Sequence, residues 1–240
     1  MLVVADLGNS RLKLGAFDGA RLVAVESVEG GEVGGVIPFP QAYTADELVV
    51  GCSAPARLPA LLAALGRPVR VLGPETVAAV PTSYRDPARL GLDRVAATFG
   101  ARAELGVDEV VVADVGTAVT VDALDARGTF LAVAIAAGPA AAAEGLLRRA
   151  PHLPAVPHDG PPRTPATSTE ESLRAGALLG TAGMVERLLD AACALVGAGA
   201  VRVLTGGAAA ALSPHVRRDH VVRPHAVLHG LRVLHALVPA

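Results

Sequence analysis

Twice along this chain an apolar run breaks off into a carboxylate, a glycine and a small polar residue. Leu2-Val3-Val4-Ala5 runs into Asp6-Leu7-Gly8-Asn9-Ser10, and Val110-Val111-Val112-Ala113 runs into Asp114-Val115-Gly116-Thr117, 108 positions later. Continuous β-branched runs of this length predict buried strands. Each motif leads into a second apolar-rich segment, a turn and a third segment: Leu12 to Phe17, Asp18-Gly19 and Arg21 to Val28 in one case, Ala118 to Leu124, Asp125 to Gly128 and Thr129 to Ala136 in the other. Asp-Gly between alternating segments is a strong hairpin signal. A single Asp-x-Gly is ordinary turn chemistry. Two in the same context predict a duplicated α/β domain whose polar turns face each other across a cleft.

The rest of the pattern fills out the halves. Leu48 to Ser53 reads as a strand, Pro55 to Leu65 as a helix that Gly66 ends, and Val69 to Leu72 as a further strand, the alternation of a parallel sheet edge. Residues 29 to 44, rich in Gly30, Gly31, Gly34, Gly35, Pro38 and Pro40, read as a loop without chemistry. In Tyr84-Arg85-Asp86-Pro87-Ala88-Arg89-Leu90-Gly91-Leu92-Asp93-Arg94 charges crowd a turn and lead into a helix, Val95 to Leu105, ended by Gly106. Asp93 and Arg94 fall at its start, where backbone N–H groups are free and a carboxylate is favoured; Asp93 read alone is a cap as readily as a functional group. Ala140 to Arg149 predicts a short helix, and Pro151 to Pro165, with six prolines, an exposed loop holding solvated His152 and His158. Ser168 and Glu171 have capping-box spacing before a long helical pattern through Leu173, Ala177, Met184, Leu188 and Leu195. Gly176, Gly180 and Gly183 weaken that helix, which points to close packing against a second subunit. Val201 to Leu204 reads as a strand ending in Thr205-Gly206-Gly207, followed by a helix over 208–212 and an Ala- and Leu-rich closing helix.

Composition narrows the function. Of 240 residues 2% are aromatic, so Val, Leu and Ala must form the core and stacking platforms for single-stranded nucleic acid are missing. A net charge of -2 with no basic stripe also argues against nucleic acid. Cys52 and Cys193 lie in apolar segments without metal-ligand spacing and read as buried thiols, which makes a reducing cytoplasm the default. No charged leader and no uninterrupted apolar run of about 18 residues is present, so neither secretion nor membrane spanning is expected. His225 and His229 have i,i+4 spacing, but no third ligand lies near to complete a metal site.

Two Asp-x-Gly turns with hydroxyls at Ser10 and Thr117 offer N–H and O–H donors to phosphate oxygens, while Asp6 and Asp114 repel them. A site holding both carboxylates and a polyphosphate therefore needs cations, Mg2+ and a monovalent ion. Lys13 is the nearest protein cation. Neither G-x-x-x-x-G-K-[ST] nor G-x-G-x-x-G occurs, so this is phosphoryl-transfer chemistry without a Walker lysine.

Taken as an ordered set, DLGNSRLKLG, YRDPARLGLDR, DVGTAVTVD, STEES and VLTGG resemble the type III pantothenate kinases, members of the acetate kinase, sugar kinase, Hsp70 and actin superfamily, over about residues 2 to 232. The resemblance implies two ribonuclease H-like (actin-like ATPase) domains with a central cleft, over residues 1–108 and 109–240. It implies that Asp6, Leu7, Gly8, Asn9, Ser10, Arg11, Leu12 and Lys13 form the first ATP-phosphate loop with Asp6 near Mg2+, that Thr117 contacts ATP, and that Asp114 holds a monovalent cation, K+ or NH4+. In Gly91-Leu92-Asp93-Arg94 it makes Asp93 the general base on the pantothenate hydroxyl, with Arg94 and Tyr84 binding pantothenate and Thr169 closing that site. Gly206-Gly207 falls on the adenosine side. The implied activity is ATP-dependent phosphorylation of pantothenate to 4'-phosphopantothenate, the first step toward coenzyme A, by a cytoplasmic homodimer.

The chain departs from the family at Ala132-Val133-Ala134-Ile135-Ala136-Ala137-Gly138, where Gly-Gly-x-Ile-x-Pro-Gly is usual, and at Ala166-Thr167-Ser168-Thr169, where Gly-Lys-Asn-Thr is usual. Alanine forbids positive φ, so a narrower loop around residue 132 is expected. Three readings compete with the kinase: a relative that binds ligand without turnover or acts as a regulatory accessory protein, a kinase for another small alcohol or carboxylate, and a non-catalytic nucleotide-dependent interaction module.

Overall fold

The structure is a computed structural model that describes residues 1–9, 11–29, 37, 39–156 and 160–237. Ser10, His158, and Gly30, Gly31, Gly34, Gly35 and Pro38 of the expected loop lie outside the described residues.

Among the described residues, ten strands form two five-stranded sheets. The first contains β1 (Leu2–Leu7), β2 (Arg11–Asp18), β3 (Arg21–Glu29), β4 (Glu47–Cys52) and β5 (Arg70–Leu72), with short α1 (Gln41–Thr44) before β4 and α2 (Leu58–Leu65) before β5. After α3 (Pro74–Ala78) and α4 (Leu92–Leu105) the chain enters the second sheet: β6 (Val110–Val115), β7 (Ala118–Leu124), β8 (Phe130–Ala137), β9 (Val201–Thr205) and β10 (Val221–Val222). Helices α5 (Pro139–Arg149) and α6 (Thr169–Val196) precede β9, α7 (Ala209–Leu212) follows it, and α8 (Ala226–Leu237) closes the described chain.

The sheet orders are β3-β2-β1-β4-β5 and β10-β9-β6-β7-β8, which are the same order strand for strand. In each, the first strand pairs antiparallel with the second and parallel with the fourth, and the fourth pairs parallel with the fifth. The architecture is therefore a duplicated, ribonuclease H-like α/β fold.

The chain divides into two compact units, Met1–Gly106 with Gly128–Phe130 and His225–Ala240, and Val107–Arg127 with Leu131–Pro224. Helix α8 thus belongs with the first unit, whereas a boundary drawn from the repeat carries the second half through to residue 240. The cause is a pair of glycines: a Cβ on Gly100 of α4 would come within 1.8 Å of the Ala226 carbonyl oxygen, and one on Gly230 of α8 within 1.8 Å of the Ala96 carbonyl oxygen. The two helices touch backbone to backbone, an approach that only glycine permits. Leu231 of α8 then fills the space over Gly51 of β4, where a Cβ would lie 2.4 Å from its Cδ2.

Each unit has its own core. Val3, Ala5, Leu7, Leu12, Leu14, Leu48, Val50 and Leu61 are among the buried residues of the first, and Val111, Ala113, Val119, Val121, Val185 and Leu189 of the second. Burial is nearly continuous along β1 and β6, as it must be for central strands covered on both faces. Gly66 and Gly106 end their helices in the left-handed conformation at φ 59° and 65°, as glycine after a helix should. In α6 the buried face is Leu178, Thr181, Ala182, Val185, Leu189, Ala192 and Cys193. Leu195, expected on that face, is 60% exposed. Both cysteines are free, Cys193 buried and Cys52 half-buried. Among the described residues no helix is long and apolar enough to cross a membrane.

Candidate active site

In the first unit Asp6 stands on β1 between Lys13 of β2 and Gly51 of β4, its register partners on either side. Directly opposed residues of an antiparallel pair project to the same face of the sheet. Asp6 and Lys13 thus form a carboxylate–ammonium rung one step from the strand end. The Lys13 ammonium makes no hydrogen bond or ion pair among the described residues, while its charge depresses the pKa of His225 at the head of α8, after burial of the ring. The β1–β2 turn is closed by the Gly8 N–H donating to the Arg11 carbonyl at 3.1 Å, and Ser53 N–H donates to the Leu7 carbonyl at 3.0 Å. Arg57, in a 3-10 turn at Pro55–Arg57, donates to the carbonyls of Gly8 and, at 3.2 Å, Asn9. No sequence signal singles out Arg57, which reads as a helix-entry residue.

Asp93 is the second residue of α4, whose N-cap is Gly91 without any side-chain capping bond. Its Oδ1 accepts from the Arg94 N–H at 3.0 Å. It therefore takes one of the free amides of the first turn, but from within the helix and not as the cap. A Cβ on Gly91 would meet that same Oδ1 at 2.5 Å, so glycine at 91 leaves the carboxylate its room. Arg94 is buried, 8% exposed, as is Leu92. Tyr84 N–H donates to Thr82 Oγ1 at 3.1 Å, and that hydroxyl donates to the Phe130 carbonyl at 3.0 Å. The Tyr84 ring is 37% exposed, and its hydroxyl makes no hydrogen bond among the described residues.

The second unit repeats the first motif with different support. Asp114 sits on β6 in register with Thr120 of β7 and Thr205 of β9. Gly206 has φ +92°, and a Cβ there would lie 2.3 Å from Asp114 Oδ1 and 2.5 Å from the Val115 carbonyl oxygen. The glycine after β9 thus makes space for the Asp114 carboxylate, a contact that the Thr-Gly-Gly pattern does not announce. The β6–β7 turn is closed by Gly116 N–H to the Ala118 carbonyl at 2.9 Å, and Gly138 N–H donates to the Thr117 carbonyl at 2.9 Å. A Cβ on Gly138 would be 2.0 Å from the Gly116 carbonyl oxygen. Thr117 is exposed with a hydroxyl that makes no hydrogen bond among the described residues.

Neither motif glycine is demanded by its own backbone. Gly8 and Gly116 are absent from the positive-φ residues, and a Cβ would find its nearest atom at 3.5 Å and 3.8 Å. What their missing side chains leave is uncovered main chain that a ligand can approach closely.

Thr169 opens α6 and is exposed. Ser168 Oγ accepts from the Glu171 N–H at 3.2 Å, half of a capping box. The reciprocal arm reaches one residue further, with Glu171 Oε2 accepting from the Thr167 N–H at 2.6 Å and hydroxyl at 2.9 Å. Those bonds to Thr167, the backbone one first, hold the Glu171 pKa below the ordinary carboxylate value. The departure at Ala166-Thr167-Ser168 is thus built into a tight helix entry.

The other departure needs a correction. Residues 132 to 137 lie in β8, not in a loop, and no non-glycine described residue has positive φ. Alanine strains nothing there, and the one retained glycine, Gly138, is where the backbone contact is closest. His229 packs edge-on against Phe17 with centroids 5.2 Å apart.

A duplicated α/β fold with a carboxylate and an open glycine turn on the first strand of each half defines a protein of the ribonuclease H-like class. Likeness of fold extends to a ROK family glucokinase from Streptomyces griseus solved with glucose and AMPPNP, at TM-score 0.54 and 13% identity over 97% of this chain and 98% of that one. It extends also to a Campylobacter jejuni protein assigned to the Baf family of transcriptional activators, at TM-score 0.61 and 19% identity over 97% and 96%. The chain belongs to the type III pantothenate kinase family, whose sequence model matches residues 2–191. Type III pantothenate kinases of Halorhodospira halophila and Rubrobacter xylanophilus are 37% and 33% identical to it, over 96% and 99% of this chain and 96% and 98% of theirs.

Proposed function

We propose that the protein transfers the γ-phosphoryl group of ATP to the primary hydroxyl of pantothenate, giving 4'-phosphopantothenate and ADP, the first step of coenzyme A biosynthesis. The observation that carries this reading is family membership over essentially the whole chain, with both Asp-x-Gly turns and the Gly91–Arg94 helix entry intact.

Asp93 is the group that accepts the hydroxyl proton as oxygen bonds to phosphorus and the bond to ADP breaks. Its half-buried side chain lies in the first turn of α4, beside backbone N–H groups that have no partner within the helix. Arg94 pairs with the pantothenate carboxylate and the open hydroxyl of Tyr84 binds the same substrate, while Thr169 is read from the family resemblance as a further pantothenate-binding residue. Leu7 to Leu12 with Lys13 are the phosphate loop of the first unit, and Thr117 is read from the family resemblance as an ATP-binding residue of the second. Among the described residues no group of three or more His, Cys, Asp or Glu side chains is placed to hold a metal ion. That fits Mg2+ bound through one or two carboxylates and the nucleotide's own phosphates, with Asp6 as the protein ligand. Such an ion supplies charge neutralisation on the transferring group. Asp114, given its space by Gly206, is the monovalent cation ligand.

We further read the protein as a cytoplasmic homodimer. Gly176, Gly180 and Gly183 lie exposed on α6 with nothing within 4 Å of where a Cβ would be. Beside them an apolar hollow of about 330 Å³ is lined by Leu146 and Leu147 of α5 and Leu173 of α6, among others.

The deciding experiment is ADP release by the purified protein with and without pantothenate, in K+, NH4+ and Na+ buffers. ADP formed only with pantothenate, and with K+ or NH4+ but not Na+ alone, is the expected result. ADP release that is indifferent to pantothenate removes the kinase reading. For Asp93→Asn, which keeps size and shape, turnover falls about 10^2- to 10^4-fold with thermal stability unchanged, the range of a positioned general base. Near-normal kcat reduces Asp93 to a helix-entry residue.

A further inference from the structure

Arg57 lies outside every motif, yet its guanidinium reaches back to the turn on which the nucleotide reading depends. It donates to the Gly8 carbonyl and to the Asn9 carbonyl at 3.2 Å. A trans peptide is planar with its C=O and N–H antiparallel, and the Gly8–Asn9 bond is not among the cis bonds. Fixing the Gly8 oxygen on the Arg57 side therefore turns the Asn9 N–H to the opposite side. Asn9 is exposed there and Gly8 adds no side chain to cover the main chain. The geometry points to Arg57 as a positioning residue that orients the β1–β2 turn for the nucleotide's phosphate chain.

The second unit makes the same fixation by other means, which is an independent reason to read it as a device. Thr117 occupies in Asp-Val-Gly-Thr the place that Asn9 occupies in Asp-Leu-Gly-Asn, and its carbonyl is held by the Gly138 N–H at 2.9 Å. Each turn thus has the carbonyl after its glycine tied down, one by a main-chain amide and one by a guanidinium. Untied, these peptides are free to rotate and to present carbonyl oxygens, which repel a polyphosphate. The guanidinium adds a fixed positive charge behind the turn, and Ser53 N–H on the Leu7 carbonyl at 3.0 Å anchors the segment that carries it.

The inference rests on reading Asp6 to Lys13 as the phosphate loop, and the test keeps the two apart. KM for ATP and KM for pantothenate are measured for Arg57→Ala, Arg57→Gln, Arg57→Lys and Lys13→Ala, with melting temperatures alongside. Loss of hydrogen bonds from a charged donor predicts a rise in KM for ATP of about tenfold to a hundredfold for Arg57→Ala. Arg57→Lys, which keeps the charge and one donor, recovers part of it, and KM for pantothenate stays within about twofold. Should Arg57→Ala fail to fold, Arg57→Gln carries the comparison, since its amide keeps one donor without the charge. If Lys13→Ala raises KM for ATP while the Arg57 variants leave it unchanged, or if they raise both constants alike, Arg57 is only a structural tie and the inference is overturned. If Lys13→Ala also leaves KM for ATP unchanged, the phosphate-loop reading falls and the inference with it.

Discussion

Two glycines that look alike in sequence have opposite jobs. Gly206 combines φ +92° with a carboxylate oxygen 2.3 Å from where a Cβ would sit, whereas Gly8 has ordinary φ and its nearest atom at 3.5 Å. Gly206→Ala should therefore lose about 1–3 kcal/mol to backbone strain alone and displace Asp114, so activity falls even where the variant is still folded. Gly8→Ala should fold with an unchanged denaturation midpoint and show its effect in KM for ATP. Equal stability loss in both, measured by urea unfolding, would contradict this division. The Asp-x-Gly repeats, both hairpins and the terminal glycines of α2 and α4 were legible because each is a local signal. The Gly206–Asp114 contact and the Arg57 tie join residues 92 and 49 positions apart, and nothing local in either partner reports the other. Asp93 was legible as a helix-entry carboxylate, but in the fold the cap is Gly91 and Asp93 accepts its neighbour's amide from within the first turn.

Elements differ in how far their sequence pattern discloses their packing. Helix α6 has small or apolar residues around most of its circumference, so a reading through Leu173, Ala177, Met184, Leu188 and Leu195 is as periodic as the face the structure buries. The pattern of helix α4 gives its end at Gly106 but sets its start at Val95 where the helix begins at Leu92, and its partner, α8, begins more than a hundred residues later. Their contact at Gly100 and Gly230 predicts that Gly230→Ala costs about 3 kcal/mol or more, since backbone on both sides prevents relief of the overlap. Gly180→Ala on α6 meets nothing within 4 Å and should stabilise an isolated chain by about 1 kcal/mol through helix propensity. A loss at residue 180 in thermal melts would mean that another subunit covers that face. Helix α8 carries His229, and His225 immediately precedes it; their pKa values lie below the ordinary value, by burial first, then at His225 by the charges of Lys13 and His229 and at His229 by that of Arg232, while Glu104 opposes the shift at His225. The unfolded chain then binds more protons below about pH 6.5, so stability is full above that pH and declines as pH falls through it. Urea unfolding at pH 5.5 and 7.5 should show the decline, and His225→Gln with His229→Gln should remove its histidine part.

At the scale of the whole molecule the two units are unequally continuous in sequence. The second is a single stretch, residues 107–224, apart from Gly128–Phe130, while the first is split between residues 1–106 and the helix that begins after His225. A fragment of residues 107–224 should therefore fold by itself with a cooperative transition. One of residues 1–106 should not, because without α8 the sheet face under Leu231 and the α4 groove at Gly100 are uncovered. Circular dichroism melts of the two fragments distinguish the cases, and mixing the second fragment with a synthetic α8 peptide should leave it unaffected.

The glycine-to-glycine crossing of α4 and α8 also bears on how the protein is made. Synthesis runs from the first residue onward, and the usual expectation is that an N-terminal domain is finished on the ribosome before the next one begins. Here the order reverses. Every residue of the second unit emerges before the helix that completes the first, so during translation the first unit waits as an open sheet with α4 unpaired. Asp6, Lys13 and Asp93, all in the first unit, acquire their final setting only when α8 leaves the exit tunnel. A nascent chain stalled just short of α8 should accordingly be open to proteases in residues 1–106 while residues 107–224 already resist them.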